Sequence, residues 1–337
     1  MPRFDLPPAE LRTYRPEVAE PADFDEFWAM TLTDHRPDPA PVITPFATPL
    51  RLVDAFDVTF AGFDGHPIKA WLLLPKNVSE PLPGVVEYLG YGGGRSVPDE
   101  RLAWVSAGYA YLVMDTRSQG GEWWSGGATT DPVGSGPAVA GWMTRGIESP
   151  ETYFYRRVFT DAVQAVEVLR RQPQVNPEQV AVTGCSQGGG IAIAAAGLVS
   201  GLVGAIPDMP FLCHFERAVG LTDREPFNEV VRYLSAHRGA EAQVFKTLSY
   251  FDGVNFAKRA TAPAYFSVGL LDPVCPPSTI FAARNHWGGP SEIVEYPFNE
   301  HDGGEWWRRA DWLASRLSAD SPTWSADSSS LSANSLS

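Results

Sequence analysis

Gly184-Cys185-Ser186-Gln187-Gly188 sets one hydroxyl between two glycines, each two residues away. The alternating apolar run "QVAVTG" (179–184) precedes it, and the small-residue run "IAIAAAG" follows. This is the G-x-S-x-G pattern of a nucleophile elbow. A serine on a sharp strand-to-helix turn is lifted clear of a sheet. Glycines on both sides remove side chains that would collide where strand and helix crowd together. The helix that follows aims free N–H groups at the point where an oxyanion would form. A glycine-rich turn whose serine only caps a helix would share the same pattern.

A serine hydroxyl needs a base, and the base needs an orienting carboxylate. In α/β-hydrolases the chain order is Ser, then Asp or Glu, then His. His301, in "FNEHDGGEWW" just past the apolar run "EIVEYPF", is the expected base. His286 sits inside the helical pattern "FAARNHW", where packing or solvent contact is the simpler role, and His214 and His237 lie in or beside an inserted segment. Asp272 ends the run "AYFSVGLLD" and opens a proline-rich loop, so it is the expected acid. Asp115 and Asp208 also end strand-like runs, but they come too early in the chain and read as loop-pinning carboxylates.

Strand-like and helix-like stretches alternate around these residues. "DFDEFWAMTLTDHR" (23–36) reads as an amphipathic helix capped by Asp23, followed by a proline-punctuated stretch over 37–49. The runs 53–63 and 66–75 flank Asp64-Gly65 as a hairpin. The runs 83–90, 110–115, 179–184, 202–208, 262–272 and 291–298 read as strands, those at 83–90 and 110–115 as buried parallel ones. "DERLAWVSAG" is placed as a crossover helix, and apolar spacing over 153–171 predicts a helix of five turns. Helices are also expected over "STIFAARNHW" and "GEWWRRADWLASRL", and a mainly helical insertion over 215–260. The order implies an α/β fold with a mainly parallel sheet. The glycine- and tryptophan-rich stretch 119–142 is a long loop of the kind that often carries function. Residues 1–318 read as a single domain, and the serine-rich 319–337 as a disordered tail.

The 337 residues are 44% hydrophobic and 20% charged, which suits a packed core. No run of eighteen apolar residues exists, and the N-terminal stretch lacks the apolar segment of a secretory signal. Cys185, Cys213 and Cys275 show neither metal nor disulfide spacing and fit a reducing cytoplasm. A net charge of −14 argues against nucleic acid and anionic membranes as partners. No metal or cofactor is expected.

The stretches "GYGGG" (90–94), "DTRSQGG" (115–121), "TYFYRRVFTDAVQAVEVLR", "VTGCSQGGG", "PDMPFLCHFERA" (207–218), "LSYFDGVNFAKR" (248–259), "GLLDPVCPPST" (269–279) and "EHDGGEWW" are colinear with one family. Over about residues 1–318 the chain resembles the acetyl xylan esterase / cephalosporin C deacetylase family, carbohydrate esterase family 7 of the α/β-hydrolases. The resemblance implies an α/β-hydrolase fold with an N-terminal extension and a helical insertion. It implies removal of acetyl groups from xylo-oligosaccharides and small esters such as cephalosporin C. It carries the triad to Ser186, Asp272 and His301, the oxyanion hole to the main-chain N–H groups of Tyr91 and Gln187, and the acyl side of the site to Pro210 and Phe211. It also implies a hexamer built as a dimer of trimers, with the N-terminal segment and the 215–260 insertion free to form interfaces. Two departures stand out. Arg117-Ser118-Gln119 replaces the usual Arg-Gly-Gln, which strains the turn if its φ is positive. His301-Asp302 replaces the usual His-Glu, and the shorter acid is expected to lose a hydrogen bond that steadies the loop. A broader carboxylesterase, acyltransferase or peptidase on the same fold, and a non-catalytic binding protein on a hydrolase scaffold, are the competing readings.

Overall fold

A computed structural model describes residues 4–36, 39–122, 126–133 and 140–317. The tail expected over 319–337, and parts of the 119–142 loop, lie outside the described residues. Among the described residues nine strands form one sheet: β1 Val42–Phe46, β2 Val53–Ala61, β3 Pro67–Pro75, β4 Leu82–Tyr88, β5 Ala110–Met114, β6 Val175–Cys185, β7 Gly204–Asp208, β8 Ala264–Gly269 and β9 Ser291–Tyr296. Their spatial order is β1-β2-β3-β5-β4-β6-β7-β8-β9. β1, β2, β3 and β5 pair antiparallel, and every neighbour from β5 through β9 is parallel.

The β2–β3 hairpin closes with Ala61 opposite Pro67, and Asp64 and Gly65 both have positive φ (53° and 76°), as a tight turn requires. β1 lies in the stretch read only as proline-punctuated. Pro45 fits because β1 is an edge strand, where a missing N–H breaks no ladder. The expected crossover helix between β4 and β5 shrinks to the four residues Ala103–Ser106. Asp23 stands at the N-cap of the Phe24–Asp34 helix without a capping bond; its carboxylate accepts from the Tyr250 hydroxyl at 2.6 Å instead.

Alternation along the central strands sends side chains to two faces. Val86 and Tyr88 of β4 join a large core with the Phe154–Arg170 and Gln187–Leu198 helices. Val85 joins a smaller core on the other face, with Trp104, Trp312 and Leu313. After Gln187 the Gln187–Leu198 helix is made of small and apolar residues, and its first ten residues are buried, so it sits inside the molecule and holds the elbow rigidly. The insertion folds into four helices: Phe215–Leu221, Phe227–Ala236, Glu241–Ser249 and Gly253–Ala257.

Candidate active site

Four loops meet at the carboxyl ends of parallel strands, where an open α/β sheet collects functional groups. Tyr91 follows β4, Ser186 follows β6, Asp272 follows β8 and His301 follows β9. Ser186 has φ 57° and ψ −119°, a conformation L-residues rarely adopt. The neighbouring glycines explain how this turn closes. A Cβ on Gly184 would lie 2.4 Å from the Gly188 carbonyl carbon, and one on Gly188 would lie 2.1 Å from the Tyr88 oxygen. The main chain pins the turn further: Ser186 N–H donates to Asp208 O at 2.9 Å, and Phe211 N–H donates to Ser186 O at 2.9 Å.

Ser186 makes no side-chain capping bond to its helix. Its Oγ lies 2.9 Å from His301 Nε2, and His301 Nδ1 lies 2.7 Å from Asp272 Oδ2. The carboxylate can only accept, so the imidazole proton belongs on Nδ1, and Nε2 is left to accept from the serine. Asp272 is fully buried, and its Oδ1 accepts from the Val274 and Cys275 N–H groups at 2.8 and 2.9 Å. Gly269 lets the histidine loop approach: a Cβ there would lie 2.3 Å from Glu300 O. Asp302 accepts from Asn299 Nδ2 at 2.8 Å within the same loop.

The other candidate histidines and acids are engaged elsewhere. His286 Nδ1 lies 2.8 Å from Ala282 O within its own helix, and His237 stacks on Tyr233. Burial, with help from Arg217, pushes His214 down to about 4. Asp115 binds the N–H groups of Arg95, Ala128 and Thr129, and Asp208 holds Arg309 and Gly304. Cys275 brings its sulfur into the Asp272–His301 neighbourhood, with ligand atoms of all three within 4.8 Å. Burial pushes its thiol well above the usual range, and the Asp272 and His301 atoms of this group are already bonded to each other at 2.7 Å.

The serine and histidine open into a cleft of about 790 Å³ lined also by Leu89, Tyr91, Glu229 and Arg232. Gln187 is the first residue of the helix after Ser186, where its N–H belongs to the unsatisfied first turn. Its side chain, unremarked in the sequence, is part of a buried amide pair. Gln119 Nε2 donates to Gln187 Oε1 at 2.9 Å, and Gln187 Nε2 donates to Leu89 O at 3.0 Å. Gln119 Oε1 accepts from Gly92 N–H at 2.9 Å, tying the Tyr91 loop to the elbow. Pro210 and Phe211, expected on the acyl side, do not line the cleft. Phe211 is fully buried, packing at ring distances of 4.3 Å on Phe227 and 6.3 Å on Tyr91, so it backs the wall instead of forming it. The insertion, expected to be free for interfaces, supplies Glu225, Pro226, Glu229 and Arg232 to the cleft.

Arg117 is fully buried, bidentate to Asp161 at 2.7 and 2.8 Å and bonded to Asp131 at 3.0 Å. Ser118 beside it has φ 61°, so the residue that replaces glycine does stand in the left-handed region. Its Oγ accepts from Arg145 at 2.9 Å and lies 3.5 Å from Trp142 Nε1.

The family profile described as Acetyl xylan esterase (AXE1) matches residues 1–316. The acetyl xylan esterase from Paenibacillus sp. R4 superposes with a TM-score of 0.84 at 38% identity, covering 93% of this chain and 99% of that one. Acetyl xylan esterase 1 from Thermoanaerobacterium sp. JW/SL YS485 superposes with a TM-score of 0.86 at 30% identity, covering 94% and 100%. The curated acetyl esterase Axe7A of Xylanibacter ruminicola is 28% identical over 306 residues. That match takes in 85% of this chain, and the chain spans 65% of the length of Axe7A.

Proposed function

The chain belongs to the acetyl xylan esterase family, and on that premise we propose that it is a serine esterase removing acetyl groups from acetylated sugars such as xylo-oligosaccharides and from related small acetyl esters, cephalosporin C among them. The observation that carries this reading is the continuous relay from Ser186 Oγ through His301 to buried Asp272, at 2.9 and 2.7 Å. In the first half-reaction Ser186 Oγ attacks the acetyl carbonyl while His301 Nε2 takes the hydroxyl proton. The main-chain N–H groups of Tyr91 and Gln187 hold the oxyanion. Asp272 fixes the imidazole tautomer and stabilises the imidazolium. His301 then gives its proton to the departing sugar oxygen, leaving acetyl-Ser186. In the second half water loses a proton to His301, attacks the acetyl carbon, and acetate leaves as the proton returns to Ser186.

Further proposals complete the picture. Residues 1–318 act as one domain, in keeping with nine strands in one sheet. The protein works in the cytoplasm, in keeping with three unpaired cysteines. It assembles as a hexamer, a dimer of trimers; Val42, Phe46 and Leu52 leave apolar surface on and beside the edge strand β1. Among the described residues no helix is long and apolar enough to cross a membrane.

The test measures acetate release from acetylated xylo-oligosaccharides, an acetylated cephalosporin and an aryl acetate side by side, with aryl butyrate and octanoate alongside. Acetyl esters should exceed butyrate by about tenfold or more in kcat/KM, about 1.4 kcal/mol at the transition state. Equal rates on all chain lengths point to a general carboxylesterase. No reaction of Ser186 with a fluorophosphonate points to a binding protein.

A further inference from the structure

The Tyr91 loop is braced from two sides. On one side Gln119 accepts the Gly92 N–H, as described. On the other, the Tyr91 hydroxyl donates to Glu229 Oε1 at 2.6 Å and accepts from the N–H groups of Gly141 and Trp142 at 3.3 and 3.0 Å. Glu229 Oε2 accepts from Met143 N–H at 3.1 Å. Glu229 is only 5% exposed, and it comes from the inserted Phe227–Ala236 helix, not from the sheet. The Trp142 ring closes edge-on against Tyr91 at 5.0 Å.

A carboxylate withdrawn from water this far costs several kcal/mol unless its lone pairs are met. A packing role alone would be served by an apolar side chain. Here the two oxygens are spent on the phenol of the residue proposed to supply an oxyanion donor and on the segment closing over that phenol. Burial raises both the Glu229 carboxyl and the Tyr91 phenol, which keeps the phenol proton in place for the short bond. Oxyanion stabilisation depends on where a donor sits before reaction begins, so a tether on the tyrosine side chain acts on its main-chain N–H.

We propose that Glu229 is a positioning residue for the oxyanion hole, holding the Tyr91 backbone in place through the tyrosine hydroxyl. The proposal rests on the reading of Tyr91 N–H as an oxyanion donor. It makes the insertion part of the catalytic apparatus, coupling the docking of the Phe227–Ala236 helix to the rate of the chemical step.

The experiment compares wild type, Glu229→Leu, Glu229→Gln and Tyr91→Phe on an aryl acetate. Removing an oxyanion donor outright costs about 10²–10³-fold in kcat; displacing one should cost about ten- to a hundredfold. Glu229→Leu and Tyr91→Phe should each lower kcat by that factor with KM changed less than about threefold. A double variant carrying Glu229→Leu and Tyr91→Phe, measured alongside, should be no slower than the slower single, because both cut the same tether. Glu229→Gln keeps an acceptor for the phenol and should recover most of the rate. Fluorophosphonate labelling of Ser186 should slow in proportion to kcat. Wild-type kcat in Tyr91→Phe, a rise in KM alone, or additive losses would overturn the proposal. If Glu229→Leu does not fold, Tyr91→Phe and Glu229→Gln decide it. A wild-type protein inert to ester and label alike would instead overturn the esterase reading itself.

Discussion

Ser118 offers a test in which two effects of similar size oppose each other. Its φ of 61° costs an L-residue about 1–2 kcal/mol. Its hydroxyl accepts from Arg145 at 2.9 Å. A hydrogen bond to a charged group contributes about 1.5–3 kcal/mol; since the Arg145 side chain is 27% exposed, about 1–2 kcal/mol is a fair share. Ser118→Gly relieves the strain, loses the bond, and loosens the unfolded chain by about 0.5–1 kcal/mol. The sum is a loss of about 0.5–1 kcal/mol. Ser118→Ala keeps the strain and loses the bond, a loss of about 1–2 kcal/mol. The expected stability order is therefore wild type, then Gly, then Ala, read from urea midpoints at constant slope. A Ser118→Gly protein more stable than wild type would show that strain dominates and that the Arg145 bond contributes little. Because Gln119 follows directly and braces the Tyr91 loop, kcat should follow the same order.

Ser186→Ala, His301→Ala and the pair combined should each lower kcat by about 10⁴-fold or more, with little extra loss in the double variant; an active His301→Ala would require another base. Asp252 accepts from the N–H groups of His214, Phe215 and Val254, and burial pushes its carboxyl up to about 6 from the usual 3.8. A raised carboxyl favours the folded state fully below the unfolded value and loses that contribution as pH rises towards 6, about 2–3 kcal/mol in all. The stability of Asp252→Asn relative to wild type should therefore improve between about pH 4 and pH 7, and a difference independent of pH would reject the assignment. The cleft carries Glu87, Glu122, Glu225 and Glu229 against Arg101 and Arg232, so a neutral acetyl ester should be preferred over one bearing a carboxylate, with the preference narrowing as salt rises; a preference unmoved by salt would assign it to shape.

The legible part of the fold was the part governed by local pattern. β4 through β9 are apolar runs ended by turn residues, and the alternation of Val85 with Val86 already separates the two faces of the sheet. β1 carries no local signal: "VITPF" contains a proline and is exposed along most of its length, so neither propensity nor burial marks it. Its strand state comes from pairing with β2. Asp23 holds the expected N-cap position but makes no capping bond, for the opposite reason. The residue type suits a cap, but a tertiary partner, Tyr250, claims the carboxylate.

The candidate site divides along the same line. Ser186, Asp272 and His301 each stand just past a strand, so chain order and strand ends were enough to propose them together. Glu225, Glu229 and Arg232 lie on or beside a helix whose spacing reads as an ordinary half-exposed face. Nothing local separates Glu229, 5% exposed against the Tyr91 hydroxyl, from Glu225 in open contact with Arg232. What separates them is where the helix docks, and that is set by Phe227 seating on Phe211 at 4.3 Å, with Phe211 held to the elbow by its bond to Ser186 O. The same buried ring that sequence reading placed on the acyl wall is thus the anchor that brings the insertion over the cleft. Truncating Phe211 to alanine should therefore act first on stability, by about 3–5 kcal/mol, and on acyl selectivity only through the displaced insertion.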